Sequence, residues 1–283
     1  MRFSIVTPSF RQLAWLKRAV RSVADQQGVE VEHIVQDAGT GPELEEWVRT
    51  QSPAQLFVEK DHGMYDAVNR GLARATGDIC AFLNCDEQYL PGTLARVARC
   101  FEENPWADAV AGDYLVIGEH NELLAFRKIT PPRRAMILTD HLYTYTCAIF
   151  FRRRLFEQGF RFNDRLLDVA DAQWVCELLQ AGHRFALIHD YLTTFVFTGE
   201  NRSLQDVAKQ ERLAARRRLP LWMRLAGPAL RAYRHVEKLL AGGYTARPIS
   251  YEIYPDAEAV QRVKFTEENP SHVYPGTLLQ RKP

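Results

Sequence analysis

Cysteine is sparse and scattered in this chain of 283 residues: Cys80, Cys85, Cys100, Cys147 and Cys176 form no CxxC pair and no zinc-ligand spacing. That excludes a disulfide-stapled scaffold and fits a reducing cytosol. Long apolar runs are missing too. No uninterrupted stretch approaches the roughly eighteen residues that cross a bilayer, and MRFSIVTPSF enters a strand-like run at once, leaving no room for a signal peptide. The expectation is a cytoplasmic protein, with the inner face of a membrane left open. No excess of one charge names a partner, since 36 Lys and Arg stand against 35 Asp and Glu. P-loop, HExxH and GxSxG signatures are absent, and the eight histidines are dispersed. The glycines at 39 and 41 lack the third member of a dinucleotide fingerprint, with Leu44 in its place, so GTG reads as a turn. There is no internal repeat.

What is present is an ordinary globular composition, 46% hydrophobic and 25% charged, long enough for one large core or a core plus an appendage. Strand-like and helix-like segments alternate through the first half. FSIVTPSF, VEHIVQDA, QLFVEK and DICAFLN read as strands. Between them, Leu13, Leu16, Val20 and Val23 recur at helical spacing, PELEEWVRTQ opens with a proline in its first turn, and MYDAVNRGLARAT keeps helical periodicity despite Gly71. This alternation argues for a mostly parallel sheet covered on both faces. Ligands then bind beyond the carboxyl ends of the strands. Polar residues do cluster there: Asp37 follows IVQ, Asp61 follows FVEK, and Asn84 to Glu87 follow AFL.

Beyond residue 110 the pattern changes. DAVAGDYLVIGE and ELLAFRKIT flank a turn-like HN and suggest a hairpin. PPRRAMILTDHL reads as helical, TYTCAIFFRR as a strand, DVADAQWVCELLQAG as a helix ended by Gly182, and RFALIHDYLTTFVF as extended. From about residue 204 the chain turns basic and helical, with nine Lys or Arg against two Glu between Lys209 and Lys238. Pro220 and Pro228 are expected to interrupt any long helix there. Leu, Trp and Met among the cations leave peripheral membrane contact and plain packing as equal readings. No nucleic-acid motif accompanies the patch, so DNA or RNA is not an expected partner. The tail after Gly242 shows no usable period.

LNCDE, residues 83 to 87, decides the chemistry. An acidic turn after a strand is commonly punctuation. It can also seat a hard cation, because Mg²⁺ and Mn²⁺ take oxygen ligands and are often held by one or two carboxylates plus substrate phosphates. The neighbours favour the second reading. DHGMYDAVNRGLARATGDICAFLNCDE, residues 61 to 87, resembles the signature of family 2 glycosyltransferases through Gly63, Tyr65, Asp66, Ala67, Asn69, Gly71, Ala75, Gly77, Asp78, Leu83, Asn84 and Asp86. TPSF near the start and SVADQ after the first helix are similar to further motifs of that family, and the likeness spans about residues 1 to 203.

The resemblance implies a GT-A α/β fold, Rossmann-like with a mostly parallel central sheet, over residues 1–203. Residues 204–283 would be a basic helical extension. It implies an inverting, metal-dependent glycosyltransferase that uses a nucleotide-diphospho-sugar, with a UDP-sugar favoured, and a hydroxyl of a saccharide or lipid-linked saccharide as acceptor. Surface polysaccharide or lipopolysaccharide assembly is the natural setting. Asp37 would bind the base, Asp61 would sit near the nucleoside, and Thr7 and Pro8 would shape the base pocket. Asn84 and Cys85 would line the donor site, while Asp86 would hold Mg²⁺ or Mn²⁺ against the diphosphate. Asp171 would be the general base.

The motifs depart from the family pattern at three places. Glu87 replaces a second Asp, the loop after Asp37 lacks its second Asp, and ADAQW around Asp171 stands where an acidic pair is common. Each site residue also has a structural alternative. Asp37 could cap the PELEEW helix, and Asp61 and Asp66 could be turn and helix-start residues. Asp168 competes with Asp171 as the base or could cap its helix. Tyr65 and Trp174 read as core aromatics. TGENRS at 198 to 203 stands where relatives carry an acceptor-side loop, with Arg202 in it. Two other functions stay open: a catalytically silent scaffold binding nucleotide-sugar or membrane, and a nucleotidyltransferase on a similar fold. The latter would want a Gly-rich basic loop that TPSFRQLAWL lacks.

Overall fold

The computed structural model describes residues 1–198 and 206–276. Strands β1 (Arg2–Ser9), β2 (Glu30–Asp37), β3 (Gln55–Val58) and β4 (Ile79–Phe82) alternate with helices α1 (Leu13–Ala24), α2 (Pro42–Gln51) and α3 (Met64–Arg74). β1 is buried from Phe3 to Ser9, as a strand covered on both faces must be, which is why its sequence is an apolar run rather than an alternation. α1 turns Leu16, Ala19, Val20 and Val23 inward. α3 keeps Gly71 for a steric reason. A Cβ there would lie 2.4 Å from Val6 Cγ1, so the helix meets β1 too closely for any side chain.

The chain continues through β5 (Gln88–Tyr89), α4 (Thr93–Glu103), β6 (Ala109–Ile117), β7 (Leu123–Arg127), α5 (Arg134–Thr139), β8 (Ile149–Arg152), α6 (Arg154–Glu157), α7 (Ala170–Gln180) and β9 (Phe185–Val196). β6 and β7 form the expected hairpin, with Asn121 tolerating a φ of 69° at its turn. The sheet order is β3-β2-β1-β4-β8-β6-β9-β5, with β7 on β6. β1 to β4, β6 and β9 run one way, and β5, β7 and β8 oppose them. The sheet is therefore mostly parallel. From β1 the order steps outward to β2 and β3, then crosses back to set β4 on the other side of β1. A reversal of this kind opens a crevice beyond the strand ends.

Both faces are covered. α1, α2 and α4 pack on one through Val20, Leu44, Leu94, Val97 and Phe101, and α3, α5 and α7 on the other through Val68, Leu72, Ile137 and Leu178. A stack of rings joins α3 to α7. Tyr65 and Trp174 both lie against Phe162, with centroids 5.8 and 4.9 Å away, and Phe82 meets Phe162 edge-on at 5.3 Å. Trp174, 2% exposed, is thus a core aromatic.

The C-terminal part corrects two expectations. Pro220 does separate α8 (Asp206–Arg217) from α9 (Leu221–Leu240), but Pro228 lies inside α9 without ending it. The carbonyl it deprives of a partner belongs to Arg224 on the exposed side, where water can replace the lost amide. The tail is not formless either. β10 (Ile249–Ile253) and β11 (Val263–Glu267) pair antiparallel, and Ile249, Tyr251 and Ile253 pack against Leu115, Ile117 and Phe126. Arg262 then reaches back to Asp25, its Nη1 donating to the Tyr89 carbonyl at 2.9 Å. The boundary drawn between 203 and 204, with Arg202 and the rest of TGENRS beyond Thr198, lies outside the described residues.

Candidate active site

Beyond the carboxyl ends of β1 and β4 lies a cavity of about 2610 Å³. Its walls bring together residues far apart in sequence: Pro8 at the end of β1, Asp61 after β3, Asn84, Cys85, Asp86 and Glu87 after β4, and Asp171 on α7. Single small-ligand pockets span about 300–1,000 Å³, so there is room for two substrates side by side.

LNCDE forms a closed turn. The Leu83 amide continues the ladder to the Val6 carbonyl at 2.9 Å. Cys85 Sγ donates to the Pro8 carbonyl at 3.2 Å, tying the turn to the end of the neighbouring strand. Glu87 folds back, accepting the Asn84 amide on Oε2 at 2.8 Å, while its own amide donates to the Asn84 carbonyl at 3.1 Å. Glu87 is thereby the brace of the turn, and Asp86 is left partly exposed at the cavity wall. Burial pushes both carboxyls above their ordinary values. Glu87 rises further because it also sits beside Asp86, whereas the Arg18 charge opposes the rise at Asp86.

Arg18 was invisible to motif reasoning. It lies on the buried side of α1, 5% exposed, donating through Nε to the Tyr254 carbonyl at 2.8 Å and through Nη2 to Asn121 at 2.6 Å. Burial lowers its pKa to about 10, so it stays cationic beneath the turn. The one signal in the sequence is a charge at an inward position of an amphipathic helix.

Two donor-side residues sit differently from the expectation. Thr7 is fully buried and bonds His33 Nε2 at 2.9 Å through its hydroxyl, within the sheet and away from the cavity wall. Asp37 is also fully buried. Its Oδ2 accepts the Gly39 and Thr40 amides at 2.9 and 2.6 Å, and Oδ1 accepts the Thr40 hydroxyl at 2.6 Å. Asp37 therefore organises its own glycine loop, and it caps neither α2, which starts on Gly41, nor lines the cavity. Pro8 and the neighbouring Ser9 and Phe10 do reach the wall, as does Asp61, whose Oδ1 accepts the Gly63 amide at 3.0 Å. Asp66 holds Arg70 at 2.8 Å and the His62 amide at 3.0 Å, so it is a helix-start residue.

The segment that carries Asp168 and Asp171 is positioned from three directions. Asn69 on α3 donates to the Phe162 carbonyl at 2.7 Å and accepts its amide at 3.1 Å. The Tyr65 hydroxyl donates to the Asp168 carbonyl at 3.2 Å. From α8, Glu211 accepts the Leu167, Asp168 and Val169 amides at 2.8, 2.9 and 3.3 Å, satisfying the donors of the turn that leads into α7 and of its N-cap, Val169. Asp168 neither caps α7 nor stands alone, because its carboxylate meets Arg212 at 2.6 Å. Asp171 is the contrast. The Ala172 amide donates to its Oδ1 at 2.6 Å, and no other side chain donates to the carboxylate among the described residues. Burial, reinforced by the Asp168 charge, raises its pKa to about 7. A partly exposed carboxylate with that pKa is matched to proton transfer near neutrality.

Of the two LNCDE carboxylates at the cavity wall, Glu87 is engaged in bracing the turn, which leaves Asp86 for a divalent cation. Among the described residues no cluster of three or more His, Cys, Asp or Glu could hold a metal by itself. That donor set fits a cation held jointly by protein and substrate phosphates.

The model of the family described as Glycosyl transferase family 2 matches residues 4–160, more than half of the chain. The chain belongs to glycosyl transferase family 2. An uncharacterized glycosyltransferase of Mycobacterium tuberculosis is 37% identical over 89 residues, 30% of this chain and 34% of the relative. A PGL/p-HBAD biosynthesis glycosyltransferase of Mycobacterium bovis is 34% identical over 120 residues, 40% of this chain and 47% of the relative. The matches thus span less than half the length of these curated relatives. Among solved structures, S. aureus TarS 1-349 with UDP-GlcNAc superposes with a TM-score of 0.57 at 15% identity, covering 85% of this chain and 73% of that TarS fragment. The mannosyltransferase PcManGT of Pyrobaculum calidifontis, with GDP-Man and Mn²⁺, gives 0.53 at 17% identity over 87% and 76%. At such identities the likeness establishes the fold, which is the GT-A α/β architecture expected from the family 2 motifs. Within this family 2 chain, the motif residues Gly71, Asn69 and Tyr65 serve packing and positioning, and Asp86 and Asp171 are left to face the cavity.

Proposed function

We propose that this family 2 chain transfers a sugar from a nucleotide-diphospho-sugar to a hydroxyl acceptor with inversion. The observation that carries the reading is one cavity walled by Asp86 at the strand-order switch and by Asp171 with its raised pKa. Asp171 accepts the proton of the acceptor hydroxyl as its oxygen bonds the anomeric carbon. The bond from that carbon to the diphosphate breaks, and its electron pair leaves with the nucleoside diphosphate. A positioned base of this kind contributes about 10²–10⁴-fold. Mg²⁺ or Mn²⁺, held by Asp86 together with the diphosphate, would supply Lewis-acid stabilisation of the charge on the leaving group. Asn84, Cys85, Pro8 and Asp61 border the donor, and Asp37 with Thr7 supports that border from behind.

A UDP-sugar is the favoured donor, supported by the likeness to TarS, which binds UDP-GlcNAc and UDP; GDP-Man, bound by PcManGT, is the competitor. The acceptor is a saccharide or lipid-linked saccharide in surface glycan assembly, with residues 1–203 catalytic and 204–283 an extension that carries part of the acceptor side. Calorimetric titration with UDP, GDP, dTDP and CDP, with and without Mn²⁺, tests the reading. Metal-dependent binding of one nucleotide that Asp86→Ala abolishes is the expected result. A folded protein that binds none of the four refutes it, and the silent scaffold then leads.

A further inference from the structure

α9 is inside out for a helix in water. Its exposed side carries Leu221, Trp222, Leu225, Tyr233, Val236 and Leu240, from 54% exposed at Tyr233 and Val236 to 83% at Leu240. They recur at steps of three, four and seven or eight along 20 residues, with Ala229 and Ala232 filling the stripe between Leu225 and Tyr233. The helix meets the rest of the protein through a narrow apolar contact, with Leu230 against the core, and otherwise through polar residues. Arg231 and Arg234 both reach Asp140, Glu237 pairs with Arg133 at 2.7 Å, and only Met223 and Gly227 are buried. Amphipathic helices on globular domains place the apolar stripe inward. An outward stripe about 30 Å long calls for a cover.

The charges around the stripe identify the cover. Arg216 and Arg217 end α8, Arg218 follows it, and Arg224 sits in the first turn of α9; Arg216 and Arg218 also border the large cavity, whereas Arg217 and Arg224 do not. All four are exposed, and none forms an ion pair among the described residues. With Leu213, Leu221 and Leu225, three of them line a hollow of about 350 Å³ at the α8–α9 corner. A second copy packed antiparallel on this stripe would cover the apolar side chains but set each arginine cluster beside the far end of the partner helix, where the one acidic residue of α9, Glu237, is already paired with Arg133. Anionic headgroups would neutralise the same cluster while the acyl region took the stripe. No described helix is long and apolar enough to cross a membrane, so contact would be made lying flat.

We infer that α9 and the α8–α9 corner dock this protein on an anionic lipid surface, with the helix axis in the plane of the interface. The inference goes beyond the transferase reading and does not depend on it. It has one consequence under that reading. Arg231, Arg234 and Lys238, on the other side of the same helix, line the cavity, so docking sets the acceptor end about one helix diameter, roughly 10 Å, from the headgroups.

Flotation with phosphatidylcholine vesicles, and with vesicles in which phosphatidylglycerol replaces part of the lipid, tests it. The full chain should bind only the anionic vesicles. Trp222→Glu and Leu225→Glu should each weaken binding at least about tenfold, and Arg217→Glu with Arg224→Glu should do so with a smaller salt dependence. Melting temperature and nucleotide titration on the same preparations establish that these surface variants are folded, and they keep a failed donor reading separate from a failed docking one. Absence of wild-type binding to anionic vesicles overturns the inference, as does binding indifferent to Trp222→Glu and Leu225→Glu. A wild-type dimer in sedimentation equilibrium that these variants disperse, without vesicle binding, overturns it in favour of a second copy.

Discussion

Replacing Asp171 by Asn should make the protein inactive and, above neutrality, more stable. The two effects share one cause. Burial raises the carboxyl from its ordinary 3.8 to about 7. Between those values the native state holds a proton that the unfolded state has released, so stability falls as pH rises through the window. Above about pH 7 the native state carries the full cost of a desolvated charge; below 3.8 both states are protonated and the cost vanishes. Asn has similar shape and no charge at any pH. Its advantage over Asp should therefore grow from pH 5.5 to pH 8.5 by about 2 kcal/mol, since 1.5 pKa units lie between pH 5.5 and the folded value at 1.36 kcal/mol each. For a chain of this size that is a shift of about 4 °C in relative melting temperature. The assay is paired thermal melts at both pH values, with turnover measured at pH 8. The loss of turnover should be about 10²–10⁴-fold, and wild-type turnover should rise with pH through about 7 as the base ionises. A stability difference that does not change with pH would refute the desolvated carboxylate. Unchanged turnover in Asp171→Asn would remove it as the base.

Glu87→Ala should cost about 1–3 kcal/mol, because the Asn84 amide loses its acceptor inside the turn; Glu87→Gln keeps a carbonyl there and should melt within a few degrees of the wild type, as paired melts would record. Asn69→Ala removes both hydrogen bonds to Phe162 and should cost a similar amount. Because that contact supports the base segment and not the LNCDE turn, kcat should fall while nucleotide affinity measured by calorimetry stays near wild type; a loss confined to nucleotide affinity would contradict the assignment.

Much of the first half was legible in the sequence because its signals are local. Short apolar runs marked β1 to β4 and the 3.6 period marked α1 to α3, the Pro at the start of α2 marked its first turn, and the ordered motifs from Gly63 to Asp86 carried the family. The hairpin of β6 and β7 and the helix bearing Asp171 were readable for the same reason. The tail was not. β10 alternates buried and exposed residues over only five positions, too few to stand out from a loop, and its partner lies ten residues away across an irregular stretch. Pro228 misled because the rule against proline in helices weighs the lost hydrogen bond without knowing that the freed carbonyl faces water.

The chain by itself determined which residues could do chemistry: a strand-end Asp86, a helix-start Asp171, and glycines where backbones must meet. Tertiary structure decided which of them are free to do it. Asp37 and Asp168 carry the same carboxylate as Asp86 and Asp171, yet the first is saturated by its own loop and the second meets an arginine 44 residues away. Glu211 holds the segment just before α7 from a similar distance, and Arg18, on α1, sets its charge beneath Asp86. Hydrogen bonds and desolvation act through space, over a few ångströms that sequence separation does not measure. The same holds for α9, whose residues read as an ordinary basic amphipathic helix until packing turns the polar side inward and leaves the apolar side out.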